Sequence, residues 1–119
     1  MRVLVVDDER LITDTICAIL NQNGFSAVGV YSGAEALEAA DELRPHVVLS
    51  DVLMPSMSGV DLGIKLQIMF PDTKVILLSG HAATAVMIQR AEADGHKFTL
   101  FPKPIHPEDL ISRLRNLAL

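Results

Sequence analysis

Asp7, Asp8 and Glu9 stand in a row directly after the apolar run Val3–Val6. Asp51, behind Ser50, comes after a second such run, Ser79-Gly80 after a third, and Lys103, between Pro102 and Pro104, after a fourth. Several carboxylates brought together repel one another and raise one another's pKa unless a cation joins them. Hard oxygen ligands around an open site suit Mg2+, which keeps several waters and accepts a phosphate oxygen. A lysine adds a second positive charge and a serine hydroxyl adds a donor. Together these groups suit the stabilisation of a phosphoryl group through its equatorial oxygens. One carboxylate can then be the nucleophile, and Asp51 is the best placed, with Asp7 and Asp8 beside it. Singly, each piece has a plainer reading. Asp7 or Asp8 can cap a helix, although no Glu or Gln stands three residues on to complete a capping box. Asp51 can be a loop residue, Ser79-Gly80 a turn, and Lys103 a solvated surface lysine. Their conjunction on one rim is what carries the chemistry.

That conjunction depends on the elements that hold the residues. Val3–Val6, His46–Leu49 and Lys74–Leu78 are short, continuously apolar and rich in β-branched residues, with weaker candidates at Ser26–Tyr31 and Phe98–Phe101. Continuous rather than alternating apolar runs point to strands buried on both faces, as in a parallel sheet between helices. The intervening stretches show helical spacing. Leu11, Ile12, Ile16, Ile19 and Leu20 precede Gly24 in the first. Ser32 can cap a second carrying Ala36, Leu37, Ala40 and Leu43, and Ser58 a third carrying Leu62, Leu66 and Met69. Ala83, Val86, Met87 and Ala91 line a fourth, and Leu110, Ile111, Leu114 and Leu117 a fifth with Pro107 in its first turn. Five strands alternating with five helices give an α/β, doubly wound five-stranded parallel sheet. In such sheets ligands bind beyond the carboxyl ends of the strands, where all the residues above fall.

Composition narrows the field. The 119 residues suit one domain, and no linker or low-complexity tract divides them. A formal charge of −5 argues against a nucleic-acid surface spread over the domain. A single cysteine, Cys17, excludes an intrachain disulfide. No apolar run approaches the ~18 residues needed to span a bilayer, and Asp7 to Glu9 interrupt the N-terminal run before it can serve in a signal peptide. A cytoplasmic domain without membrane contact is the expectation. Phosphate-binding glycine loops, zinc-type Cys/His spacing and the G-x-S-x-G elbow are all absent from the sequence.

The chain resembles the receiver (REC) domain of two-component response regulators. The matching pieces are Val3-Leu4-Val5-Val6-Asp7-Asp8-Glu9, then Asp51-Val52-Leu53-Met54-Pro55 with Gly59 downstream, then Ile76-Leu77-Leu78-Ser79-Gly80, then Pro102-Lys103-Pro104. The resemblance covers essentially the whole chain. It implies the (βα)5 flavodoxin-like receiver fold over residues 1–119, with no output domain in this chain. It implies that Asp51 accepts a phosphoryl group from a sensor histidine kinase or phosphotransfer protein in a His-to-Asp phosphorelay. Asp7, Asp8, Asp51 and the backbone carbonyl of Leu53 are then the Mg2+ ligands, Lys103 pairs with the phosphoryl group or with Asp51, and Ser79 donates to a phosphoryl oxygen. The Lys103–Pro104 bond is expected cis, and Gly59 is expected to permit the turn after the acceptor loop. Phosphorylation places roughly −2 charge on the rim and switches a downstream protein or output domain. No direct nucleic-acid binding by this domain is expected, and homodimerisation through the fourth and fifth helices stays open.

Three positions depart from the family pattern. In the family an aromatic residue stands three positions before the lysine and turns inward on activation; here that switch position is Leu100. This implies intact phosphorylation chemistry with weakened or rerouted output. Gly80 stands where alanine is common, which suggests a freer loop, and His81 occupies a position that tunes the phosphoryl lifetime. Two other functions fit the residues less well. A pseudo-receiver, a constitutive protein-binding module on the same fold, is opposed by retention of Asp7, Asp8, Asp51, Ser79 and Lys103. An aspartyl-nucleophile phosphatase is opposed by Leu53, where a second aspartate is expected. The domain is therefore expected not to be an enzyme beyond catalysing its own phosphorylation and dephosphorylation.

Overall fold

Five strands and five helices alternate along the chain: β1 (Arg2–Val6), α1 (Arg10–Gln22), β2 (Ser26–Val30), α2 (Gly33–Leu43), β3 (Val47–Asp51), α3 (Gly59–Met69), β4 (Lys74–Ser79), α4 (Ala82–Ala93), β5 (Thr99–Pro102) and α5 (Pro107–Arg115). The structure, a computed structural model, describes residues 1–80 and 82–117, leaving out the side chain of Ala83. The expectation for His81 lies outside the described residues. All strand pairs are parallel, in the order β2-β1-β3-β4-β5. The order reverses at β1, so the crevice for a ligand opens over the ends of β1 and β3.

Strand side chains alternate between the two faces of the sheet, and each set meets its own helices. Leu4, Val6, Val48, Val75 and Leu77 pack with Ala36 and Ala40 of α2, Leu62 and Leu66 of α3, and Ile88 and Ala91 of α4. Val3, Val5, Val47, Leu49, Ile76, Leu78 and Phe101 pack with Leu20 of α1 and with Leu110 and Leu114 of α5. This two-sided burial is why the strand sequences read as continuous apolar runs. No described helix is long and apolar enough to cross a membrane.

The helix starts follow local chemistry. Ser32 and Ser58 accept the backbone N–H groups of Glu35 and Asp61, capping α2 and α3. Glu35 reaches back to the Tyr31 N–H at 3.0 Å, closing a box around the α2 start. Ser32→Ala is expected to cost about 1 kcal/mol, read from the urea midpoint; a loss under a few tenths would show that the box does not hold the helix. The N-cap of α1 is Glu9, whose side chain makes no capping bond, so neither Asp7 nor Asp8 is that cap.

Several boundaries and faces differ from the sequence reading. Asp51 and Ser79 are the last residues of β3 and β4 rather than the first of the following loops, while β5 runs Thr99–Pro102, one residue later than expected. Leu11, assigned to the buried face of α1, is 80% exposed, and Val86 of α4 is 57% exposed. Ala91 of α4 is buried as expected, and among the described residues of the helix Thr84 and Ile88 are buried with it. Spacing of three and four selects one helical stripe, but two adjacent stripes fit the same few residues, and the sheet decides which one is covered.

Candidate functional site

At the end of β1, Asp7 is buried, 1% exposed. Its backbone carbonyl accepts the Thr13 hydroxyl of α1 at 2.8 Å, and its Oδ1 accepts the Glu9 N–H at 3.0 Å. Its Oδ2 is buried without a hydrogen-bond partner. Asp51, two strand positions beyond Leu49, takes the Val52 N–H on Oδ1 at 2.9 Å. Lys103 enters from the loop after β5, at the cis Lys103–Pro104 bond. Its Nζ lies 3.0 Å from Asp51 Oδ1 and 3.7 Å from Asp7 Oδ2. Carboxylate oxygens of Asp7, Asp8 and Asp51 lie within 4.8 Å of one another.

Electrostatics at this rim are set by burial and crowding. Burial raises the Asp7 pKa, opposed by the Glu9 N–H and by Lys103 and reinforced by the charges of Asp51 and Asp8. Burial works against the charge of Lys103, but the hydrogen bond and charge of Asp51, with the charge of Asp7, outweigh it and raise the Lys103 pKa. One lysine therefore faces three carboxylates. The orphaned Asp7 Oδ2 and the spacing of the three carboxylates fit a further hard cation: oxygen donors, partly open to solvent, suit Mg2+.

The β4 end completes the rim. Ser79 Oγ and Thr84 Oγ1 lie 2.9 Å apart, and the Lys103 N–H donates to the Ser79 carbonyl at 3.1 Å. Next to it, a Cβ on Gly80 would stand 2.6 Å from the Lys103 carbonyl oxygen. The missing side chain at Gly80 thus permits the close approach of the two loops. Gly59 likewise departs from its expected part. The described positive-φ glycines are Gly24 and Gly95, not Gly59. Instead, a Cβ there would collide with the Asp51 carbonyl oxygen, and the Gly59 N–H donates to Val52 O at 2.8 Å. Glycine at the first residue of α3 lets the helix abut the end of β3.

The sequence-derived residues Asp7, Asp8, Asp51 and Lys103 are brought together, and Ser79 stands beside them on the adjoining strand. The side chain of Leu53 is exposed on the loop after β3. Leu100 lies opposite Leu77 on β5 and is 42% exposed. Thr13 and Thr84 were missed. The available signal was a threonine on the buried stripe of an otherwise apolar helix, which must find a partner for its hydroxyl.

The profile of the response regulator receiver domain matches residues 3–115. The chain belongs to the response regulator receiver domain family. Response regulator MprA of Mycobacterium avium (strain 104) is 30% identical to this receiver domain over 117 residues, covering 98% of it and 50% of MprA. DNA-binding response regulator MtrA of Mycolicibacterium smegmatis (strain ATCC 700084 / mc(2)155) is 30% identical over 116 residues, covering 96% and 49%. Among solved structures, chemotaxis protein CheY4 of Vibrio cholerae superposes on the receiver domain with a TM-score of 0.86 at 28% identity, covering 98% of each chain. A receiver domain protein from Clostridium thermocellum gives 0.85 at 30% identity, covering 97% of this chain and 91% of that one. The receiver domain spans about half the length of MprA and MtrA. Receiver domains of response regulators are signalling modules rather than metabolic enzymes.

Proposed function

We propose that this receiver domain is a phosphoacceptor in a His-to-Asp phosphorelay, with Asp51 as the acceptor. The observation that supports it is the rim itself: three crowded carboxylates, one with a buried oxygen lacking any hydrogen bond, against a single lysine 3.0 Å from Asp51. Such an arrangement is electrostatically incomplete without a cation and suited to holding added anionic oxygens once it has one.

Asp7, Asp8, Asp51 and the Leu53 backbone carbonyl are the groups that would hold Mg2+. Bound there, Mg2+ supplies positive charge against the phosphoryl oxygens. The Asp51 carboxylate, oriented by the Val52 N–H, attacks phosphorus. An O–P bond forms as the N–P bond to the donor's phosphohistidine breaks, and the imidazole leaves with the electron pair and is protonated by solvent. Lys103 then exchanges its carboxylate contact for a phosphoryl oxygen, and Ser79 donates to another. The donor is a sensor histidine kinase or phosphotransfer protein. An apolar groove of about 410 Å³ lies alongside the rim, lined by Leu11, Ile16, Pro104, Ile105 and Leu110, with Lys103 common to groove and site. This groove offers the donor a docking surface continuous with the acceptor. The receiver in turn switches a downstream protein or output domain, as its similarity to the MprA and MtrA regulators supports.

The test is intact mass after incubation with Mg2+ and acetyl phosphate over a quenched time course. One added phosphoryl group is expected, absent in EDTA and in Asp51→Asn. No adduct at any time, together with no binding of Mg2+ and beryllofluoride, would overturn the reading in favour of a constitutive binding module.

A further inference from the structure

Asp7 lies one residue beyond β1, whose pairing with β2 and β3 ends at Val6. Three hydrogen bonds hold it there. Its N–H donates to the Val30 carbonyl at 3.3 Å, its carbonyl accepts the Thr13 hydroxyl at 2.8 Å, and its Oδ1 accepts the Glu9 N–H at 3.0 Å. With the main chain and one carboxylate oxygen tied, Oδ2 is left buried and without a hydrogen bond, 3.7 Å from the Lys103 ammonium. Thr13 is the fourth residue of α1 and is 0% exposed. A helical threonine hydroxyl ordinarily turns back to a carbonyl three or four residues earlier in its own helix. Here it reaches beyond the helix to the end of β1. The partner is a carbonyl, which can only accept, so Thr13 is the donor. Its rotamer is set from β2. A Cβ on Gly29 would stand 2.5 Å from Thr13 Cγ2. Glycine at that position makes room for the methyl and so leaves the hydroxyl turned toward Asp7.

We propose that Thr13 is a positioning residue for Mg2+ binding: by holding the Asp7 carbonyl it fixes the direction in which Asp7 presents Oδ2, and Gly29 in turn fixes Thr13. Thr13 is not itself among the ligands and acts only through Asp7. Without the hydroxyl, the Asp7 carbonyl loses a donor in the interior and is drawn toward another. The peptide that carries the carboxylate turns with it, and Oδ2 leaves its place opposite Asp8 and Asp51. Groups that orient a metal ligand from outside the coordination shell are worth about 10- to 100-fold in metal affinity. A single neutral hydroxyl acting on the main chain belongs at the lower end of that range.

Thr13 has this role only if Asp7 is a Mg2+ ligand, as the proposed function requires, and the two fail separately. The full chain, stripped of metal with EDTA, is titrated with Mg2+ and followed by amide NMR. In Thr13→Val, which keeps the shape and removes the hydroxyl, the Mg2+ dissociation constant is expected to rise about 10-fold. Thr13→Ala carries the same expectation should the valine variant not fold. Thr13→Ser keeps the hydroxyl and is expected to bind Mg2+ as wild type does. Gly29→Ala reaches the same site from β2: its methyl displaces Thr13 Cγ2, and Mg2+ binding is expected to weaken. Adding Thr13→Ser to Gly29→Ala removes the colliding methyl, retains the hydroxyl and is expected to restore the affinity. A residue that only packs would lower the urea midpoint of the metal-free protein without changing the dissociation constant of the folded one. Wild-type Mg2+ affinity in folded Thr13→Val or Thr13→Ala would overturn the positioning role alone. Failure of Thr13→Ser to restore binding to Gly29→Ala would overturn the part given to Gly29. Failure of the wild type to bind Mg2+ would overturn both Thr13 and the metal site of the proposed function.

Discussion

Asp7→Asn will make the metal-free domain more stable by about 1–3 kcal/mol near neutral pH and will abolish its stabilisation by Mg2+. Asp7 is buried, and one of its oxygens has no hydrogen-bond partner. The Lys103 ammonium is 3.7 Å from that oxygen but only 3.0 Å from Asp51, so Lys103 compensates Asp7 poorly. Burial therefore dominates and raises the Asp7 pKa above its ordinary 3.8. A carboxyl whose folded pKa lies above its unfolded value binds its proton more tightly in the folded state. Its charge then subtracts from stability at every pH above the folded pKa, and the penalty fades as pH falls through that value toward 3.8. Asn carries no such penalty, and its amide N–H groups can donate to the neighbouring carboxylates. The gain over wild type should accordingly be full at neutral pH and shrink on acidification. The raised Lys103 pKa has the opposite linkage: its stabilisation is present below the ordinary lysine value of 10.5 and is lost as pH rises through the folded pKa. With Mg2+ the ranking is expected to reverse, because binding to the folded state stabilises by mass action and the variant lacks one of the proposed ligands. Urea unfolding at neutral and acid pH, with and without millimolar Mg2+, decides the matter. A variant no more stable than wild type at neutral pH without metal would refute the electrostatic account.

Gly59→Ala will destabilise the domain by about 3 kcal/mol and slow acetyl-phosphate labelling of Asp51 at the same time. The added methyl would collide with the Asp51 carbonyl oxygen and lie 3.0 Å from Val52 Cα, both main-chain atoms that no side-chain rotation can clear. Either α3 moves away from β3, loosening the contacts of Val60, Leu62 and Leu66, or the end of β3 moves and takes the Asp51 carboxylate off its Val52 N–H. The urea midpoint and the labelling rate should fall together. A loss within about 0.5 kcal/mol, the usual range for surface changes, would show that the junction yields at little cost.

Both effects concern features that the sequence conveys only in part. The strands were legible because burial on both faces leaves an unmistakable continuous apolar run, as in Val47-Val48-Leu49 and Val75-Ile76-Leu77-Leu78. The helix starts at Ser32 and Ser58 were legible because capping is local: a hydroxyl bonds an N–H three residues on. The grouping of Asp7, Asp8, Asp51 and Lys103 was legible for a related reason. Parallel strands bring all their carboxyl ends to one edge, so residues at the ends of Val3–Val6 and Val47–Asp51 must meet.

The remainder depended on distances between segments far apart in the chain. That Leu11 is exposed beside a groove while Leu20 is buried is decided by where α5 and the Lys103–Pro104 loop lie against α1. That Gly59 is needed for contact with Asp51, rather than for a turn, is decided by how closely α3 abuts β3. The Ser79–Thr84 pairing depends on α4 starting close enough to the end of β4 to place two hydroxyls in contact. By itself, then, the sequence determined the element order, the caps and the rim residues, because periodicity, capping and strand direction are local or follow from topology. Only the tertiary structure decided which apolar stripe is covered, where a methyl cannot fit and which oxygen is left without a partner, because each of these is set by the approach of surfaces that no single stretch of sequence encodes.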